Sequence, residues 1–314
     1  MPETTNRDPQ AQGQTAEMLG LTDDQLPEFF ATADASAASA QDSALRSSGV
    51  RLAGIVAAAL GGTFSIVVGQ VDIWAAVALL GFLLALGAEI YILLVRPEQR
   101  WYQARAGAES AKTLSWRYSV GADPFFLALS TAAADSLFRE RLGQVAQQVH
   151  SSVRIPAGDG GSPTSGMKSL RAASLKSRRA VYLRDRTEVQ RDWYTAKAEA
   201  NRVAASRWRV FLLFSEVVAV TLASARLFGL WEIDVAGILA AVIGAGAAWL
   251  SLKQHVTLRA AYSLTAAELQ KQMGMLRAAN EQQWSSAVAD AEEAISREHT
   301  MWLASRGEVN EVII

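Results

Sequence analysis

Apolar residues gather into four long runs, and outside them they recur every three or four positions. The runs cover about Val50–Val68, Ile73–Val95, Val210–Trp231 and Ile233–Leu252. Each comes near the ~20 apolar residues that a hydrocarbon core of ~30 Å requires, so the pattern predicts four transmembrane helices. Gln70–Val71–Asp72 separates the first pair and Glu232 the second. Connections that short make each pair a helical hairpin. The first run starts near residue 50 behind a polar leader, which does not fit a cleaved signal peptide.

The remaining segments read as helices. Residues 1–20 are polar and patternless and are expected to be disordered. Thr22 and Gln25 offer a capping box, and Pro27 falls in the first turn of a helix that would continue to about Ser47 and into the first span. Trp101, Ala104, Ala108, Ala111, Ser115 and Tyr118 mark one face of a helix from Pro97 to the turn at Gly121–Pro124, and a further helix is expected from Phe125 to about His150. Ser151–Gly166 is rich in Gly, Pro and Ser and reads as a flexible loop or a linker between halves. From Lys168 a helix should run into the third span. Val189, Trp193, Ala196, Ala200 and Val203 on it form a coiled-coil-like seam expected to be buried. After the fourth span, Leu269, Met273 and Leu276 resume the pattern; it restarts out of step at Trp284, Val288, Ala291, Ile295, Glu298 and Trp302, predicting a kink near Asn280. No stretch alternates at period two. The expected fold is all-α: two transmembrane hairpins and a cytoplasmic helical bundle. Its expected organisation is a leader (1–20), a unit at 21–150, a linker at 151–167 and a unit at 168–314.

Composition agrees with membrane insertion. Half of the 314 residues are hydrophobic and 19% are charged, against about 25% in soluble domains. The net charge of −1 hides segregation: residues 1–48 sum to −6 and 96–209 to +10. Neither hairpin turn contains Lys or Arg, and Arg226 alone lies near the turn side. By the positive-inside rule both termini and the middle region are cytoplasmic. With no Cys there is no disulfide, thiolate metal site or thiol nucleophile.

Candidate chemistry is sparse. His150, His255 and His299 are scattered, Gly158–Gly161 lacks the flanking elements of a phosphate loop, and Glu292 and Glu293 read as an exposed pair. The expectation is no enzyme, no cofactor and no bound metal. Glu89 and Glu216 each lie seven residues from an inner basic anchor (Arg96, Arg209), hence ~10 Å into the membrane. Burying charge there costs ~2.5–3.5 kcal/mol. They form a candidate polar site, either packing groups or a carboxylate ring in a cation pore, with no basic residue at their depth. Ala236, Ala240, Gly244 and Ala248 form a small-residue ladder suited to close helix approach. Lys168, Arg171, Lys176, Arg178, Arg179, Arg184 and Arg186 form a candidate interaction patch. Its charge could pair with the acidic leader or the C-terminal helices, or bind a phosphorylated ligand; nucleic acid is a weak alternative. The repeated WYQARA (Trp101) and WYTAKA (Trp193) read as shared packing chemistry.

Arg96, Pro97, Trp101, Arg105, Ala106, Glu109, Ser110, Lys112, Trp116, Arg117, Tyr118, Pro124 and Phe125, following a two-span hairpin, resemble the SLATT family of two-transmembrane effector domains. Tyr182, Arg186, Gln190, Trp193, Tyr194, Lys197 and Asn201, followed by a hairpin and by Glu298, His299 and Trp302, resemble a second, tandem unit. The resemblance implies a membrane effector of bacterial conflict systems that oligomerises and breaches the inner membrane once a nucleotide-triggered sensor fires. A sensor or nucleotide synthase encoded nearby would be its partner. The family offers no catalytic residues to transfer, and Trp101, Arg105, Glu109, Lys112, Trp116, Arg117, Tyr118, Trp193 and Tyr194 are expected to serve packing. The alternative is a membrane-anchored helical scaffold or sensor without a pore.

Overall fold

The structure is a computed structural model that describes residues 19–154, 160–230 and 235–304, with side chains through Ser296. Most of the predicted leader, Gly158 and Asp159, the turn at Glu232, and the side chains of Glu298, His299 and Trp302 lie outside the described residues. Two compact units emerge. One comprises residues 1–38, 100–196 and 261–314, the other residues 39–99 and 197–260.

The larger, helical unit begins with a 3-10 turn at Asp23–Gln25, where the Thr22 backbone N–H donates to Gln25 Oε1 at 3.2 Å, as the capping box requires. Pro27 then precedes α1 (Glu28–Thr63), whose first residues Phe29, Phe30, Ala33 and Ala37 are buried in this unit. Helix α2 (Ile73–Val95) belongs to the other unit. Helix α3 (Pro97–Val120) presents Ala104, Ala108, Ala111, Ser115 and Tyr118, all at 1% exposure or less, as its spacing predicts. Gly121, at φ 72°, turns the chain out of it. The next helix, α4 (Thr131–Val149), starts later than expected because Ser130 caps it by accepting from Ala133 N–H. The Gly/Pro/Ser tract is anchored at its described ends: Val153 is buried, Gly160 C=O accepts from Phe29 N–H, and Thr164 caps α5 (Ser165–Arg171).

The single helix expected from Lys168 is instead three pieces. After α5, Ser174 caps α6 (Leu175–Val181), which passes through a π-helical stretch at Tyr182–Glu188 into α7 (Val189–Leu227). That stretch overturns the predicted seam. Val189 is 60% and Trp193 38% exposed, and Ala196 and Ala200 are exposed, whereas Tyr194 and Ala198 are buried. Steps of four and three from the buried Arg178 and Tyr182 lead to Val189 and Trp193 only along an unbroken α-helix. The i→i+5 turn holds an extra residue, so the buried face shifts by one. Tyr194 packs with Leu269 and Ile295. Leu269, Met273 and Leu276 on α9 (His255–Ala278), and Trp284, Val288, Ala291 and Ile295 on α10 (Glu281–Ala304), are buried as read. Asn280 makes the break between those helices by accepting from the N–H groups of Gln282 and Gln283.

In the second unit the helical part of the first predicted span ends at Thr63, and Val67–Val68 (β1) and Val71–Asp72 (β2) form a small antiparallel hairpin that the sequence reading did not anticipate. Asp72 shapes it by capping α2, accepting from Trp74 N–H and Ser65 Oγ–H. From Val50 to Thr63 the helix is ~20 Å long, less than a hydrocarbon core. Among the described residues, three helical stretches are long and apolar enough to cross a membrane: α2, the apolar part of α7, and that of α8 (Val235–Lys253) with α9. The first hairpin is drawn tight by glycine. A Cβ on Gly54 would lie 2.6 Å from Gly81 C=O, and one on Gly61 2.4 Å from the Ala78 nitrogen. On α8 the predicted small-residue ladder is not used this way: Ala240, Gly244 and Ala248 are exposed, and Gly246 packs near Leu212 and Trp208 instead.

Candidate functional site

The strongest polar constellation lies inside the helical unit. Thr113 on α3, Tyr182 and Arg186 on the π stretch, and Glu292 on α10 have 0–9% exposure. Arg186 grips the Glu292 carboxylate with two hydrogen bonds, Nε to Oε1 at 3.0 Å and Nη2 to Oε2 at 2.7 Å. Tyr182 Oη donates to Oε1 at 2.8 Å and Thr113 Oγ1 to Oε2 at 2.9 Å. Burial by itself would raise the carboxyl pKa; the Arg186 charge and the four donors outweigh it and hold Glu292 ionised, below its ordinary range. Burial and the adjacent carboxylate push the Tyr182 phenol far up, so it stays a donor. The wide π turn sets Tyr182 and Arg186, four residues apart, on the same carboxylate. Glu292 therefore corrects the expectation of an exposed Glu292–Glu293 pair; only Glu293 is exposed.

The candidate basic patch is largely consumed by such contacts. Arg171 donates to the carbonyls of Tyr118, Phe125 and Phe126. Arg178, 1% exposed, reaches Val120 C=O at 2.7 Å and Glu281 at 2.8 Å. Both clamp the turn after α3, where Trp284 Nε1–H also donates to Val120 C=O. Lys168 pairs with Asp135, Arg179 donates to carbonyls of Arg277 and Ala279, and Arg184 to Leu19 C=O. Lys176 stays exposed. Burial opposes the charge of Arg178 and lowers its pKa, with Glu281 working against the shift. Most of the run serves as internal clamps, because its helices fold back onto α3 and α10.

The family-motif residues lie where packing demands them. Arg105 pairs with Asp34 and Glu109, Lys112 with Asp23 while sitting over the Phe30 ring, and Arg117 donates to Ala289 C=O. Trp116 is 1% exposed and meets Tyr182 edge-on, and Tyr118 Oη donates to Asp135. The two Trp–Tyr pairs behave alike: Tyr102 and Tyr194 are each 2% exposed, and Trp101 and Trp193 are the more open partners.

Glu89 and Glu216, the two carboxylates predicted to lie within the membrane, do not come together. Glu89 meets Arg51 Nη1 at 2.7 Å, which corrects the expectation that no basic residue reaches its depth. Depth counted along each helix from its own anchor ignores the reach of an arginine on the adjacent helix. Glu216 is exposed on α7 among Leu213, Phe214, Val217 and Val220.

Apolar helices fit to cross a bilayer in one unit, and helices locked on a buried ion pair in the other, define an α-helical membrane protein. Two family models match it in tandem. SMODS and SLOG-associating 2TM effector domain 3 covers residues 27–179, and SMODS and SLOG-associating 2TM effector domain 1 covers residues 182–302. The chain belongs to this SLATT family, as two consecutive effector domains. The first match runs through the Gly/Pro/Ser tract, and the second begins on Tyr182, where the π stretch starts. No curated protein and no solved structure matches the chain.

Proposed function

We propose that the chain is a non-enzymatic effector of a bacterial nucleotide-signalling conflict system, which assembles with copies of itself in the inner membrane and permeabilises it. In this reading all four apolar runs insert, the termini and the middle region face the cytoplasm, and the trigger is a sensor or nucleotide synthase encoded nearby. One observation carries assembly. Only 11%, 6% and 6% of the three apolar windows are buried within the chain, and the outward residues include the ladder Ala240, Gly244 and Ala248. Small residues spaced four apart favour helix–helix contact in lipid, where no hydrophobic force drives association. Glu216 lies outward too, and a carboxylate facing hydrocarbon is costly unless another subunit or water meets it.

The test is induced expression in a bacterium with a membrane-potential dye. Wild-type protein should collapse the potential. Gly244→Leu should insert normally yet lose that effect, and Glu216→Gln should assemble but weaken cation permeation. Unchanged potential with correctly inserted wild-type protein would favour the scaffold reading.

A further inference from the structure

On α7, Arg202, Ser206 and Arg209 follow at steps of four and three and share a face, while Arg207 turns toward Val210, Phe211 and Phe214. Each face lines a cavity. The first, about 310 Å³, is bounded by Arg202, Ala205, Ser206, Arg209, Val256 and Arg259. The second, a more open groove of about 390 Å³, is bounded by Ser206, Arg207, Val210, Phe211 and Phe214. Ser206 belongs to both, so a charged cup adjoins an apolar groove. No carboxylate lines either. Glu199 takes up Arg202 at 2.6 Å and also attracts Arg259 from further away, but neither Arg209 nor Arg259 forms a direct ion pair among the described residues.

Depth agrees with this division. Arg209 closes the apolar run of α7, and Arg202 lies seven residues away, ~10 Å along the helix. The headgroup layer of one leaflet is ~5–8 Å thick. The cup therefore opens at headgroup level, and the groove begins where hydrocarbon begins. Guanidinium groups bind phosphate through paired N–H donors, and basic pockets beside transmembrane helices suit anionic headgroups. The groove would offer nothing to a soluble phosphate, whereas an acyl chain fills it.

We propose that the two cavities form one binding site for an anionic phospholipid, its phosphate held by Arg209 and Arg259 and an acyl chain lying along Phe211 and Phe214. The proposal rests on the reading that α7 and α8 cross the membrane, and it names the lipid that this end of the spans selects.

The full chain in detergent should gain thermal stability from phosphatidylglycerol, less from phosphatidylcholine, and none from inorganic phosphate at equal concentration. A basic residue near an anionic membrane surface contributes about a fivefold gain in affinity, so R209Q/R259Q should bind phosphatidylglycerol about 25-fold more weakly. Equal stabilisation by phosphatidylcholine, stabilisation by inorganic phosphate, or an undiminished response in the double variant would overturn the site. Should that variant fail to fold, native mass spectrometry of the wild type decides: preferential retention of phosphatidylglycerol supports the site and its absence overturns it. Alkaline carbonate extraction separates the two readings. Wild-type protein that stays in membranes but shows no lipid preference defeats the lipid site alone, whereas protein released by carbonate defeats the membrane reading as well.

Discussion

Glu292 accepts four hydrogen bonds with no contact to solvent, so its charge depends wholly on Arg186, Tyr182 and Thr113. Removing one member of such a pair strands the other. Arg186→Met or Glu292→Ala should each cost ~3–5 kcal/mol, while Arg186→Met with Glu292→Leu should cost less than either alone. Thermal unfolding in detergent checks the ordering. The pH dependence follows from the direction of the shift. Because the folded carboxyl titrates below its ordinary value, its contribution is complete above about pH 4.3 and is lost as pH falls further. Glu292→Gln should flatten that acid limb; an unchanged limb would assign acid sensitivity to other groups. Glu292 was hidden in the sequence by its neighbour Glu293, although it lies four residues after Val288, at the edge of the buried stripe. Glu89 was half legible. Its depth could be counted, but its partner could not, because Arg51 reaches it across a helix pair rather than along the chain.

Helices and their faces were legible wherever a single α period held. The described residues of the stripes on α3, α9 and α10 are buried as read, except that Trp101 is only half-buried. The stripe on α7 is not buried as read, because a wider turn precedes it and no composition signal marks such a turn. Tyr194→Ala is accordingly expected to cost ~3–5 kcal/mol, the range for a buried aromatic, and Trp193→Ala clearly less; equal losses in a denaturation series would contradict the assignment. In the first hairpin, Gly54 and Gly81 permit near contact of two backbones. Gly81→Leu would force them apart and should abolish stable insertion, whereas Gly87→Leu, where a Cβ meets nothing within 4 Å, should be tolerated. Protease protection of the two variants in membrane vesicles distinguishes them. The sequence pointed instead to the ladder on α8, since small-residue spacing shows that a close approach is available but not which helix uses it.

For the molecule as a whole, the segregation of basic residues makes topology the decisive measurement. The chain contains no cysteine, so single replacements report cleanly. Cysteine in place of Gln70 or Glu232 should label from outside intact cells, while cysteine at Ala106, Ser162 or Ala304 should not. Labelling at Ser162 would invert the orientation. Labelling at Ala106 as well as Gln70 would show that α2 does not cross. The division into two compact units was less legible than the apolar helices. Each unit is assembled from separated parts of the chain, whereas a linear reading divides a sequence at its most flexible tract.

The π stretch at Tyr182–Glu188 amounts to one inserted residue, and a helix carries such an insertion downstream as a phase error of about 100°. Rewinding the stretch to α with every residue kept would bring Val189 and Trp193 to the positions now held by Gln190 and Tyr194. Trp193 would then face Leu269 and Ile295, and Tyr194 would turn to solvent. The side chains that lock this phase are Tyr182 and Arg186 on Glu292, so one carboxylate decides which aromatic ring the following helix buries.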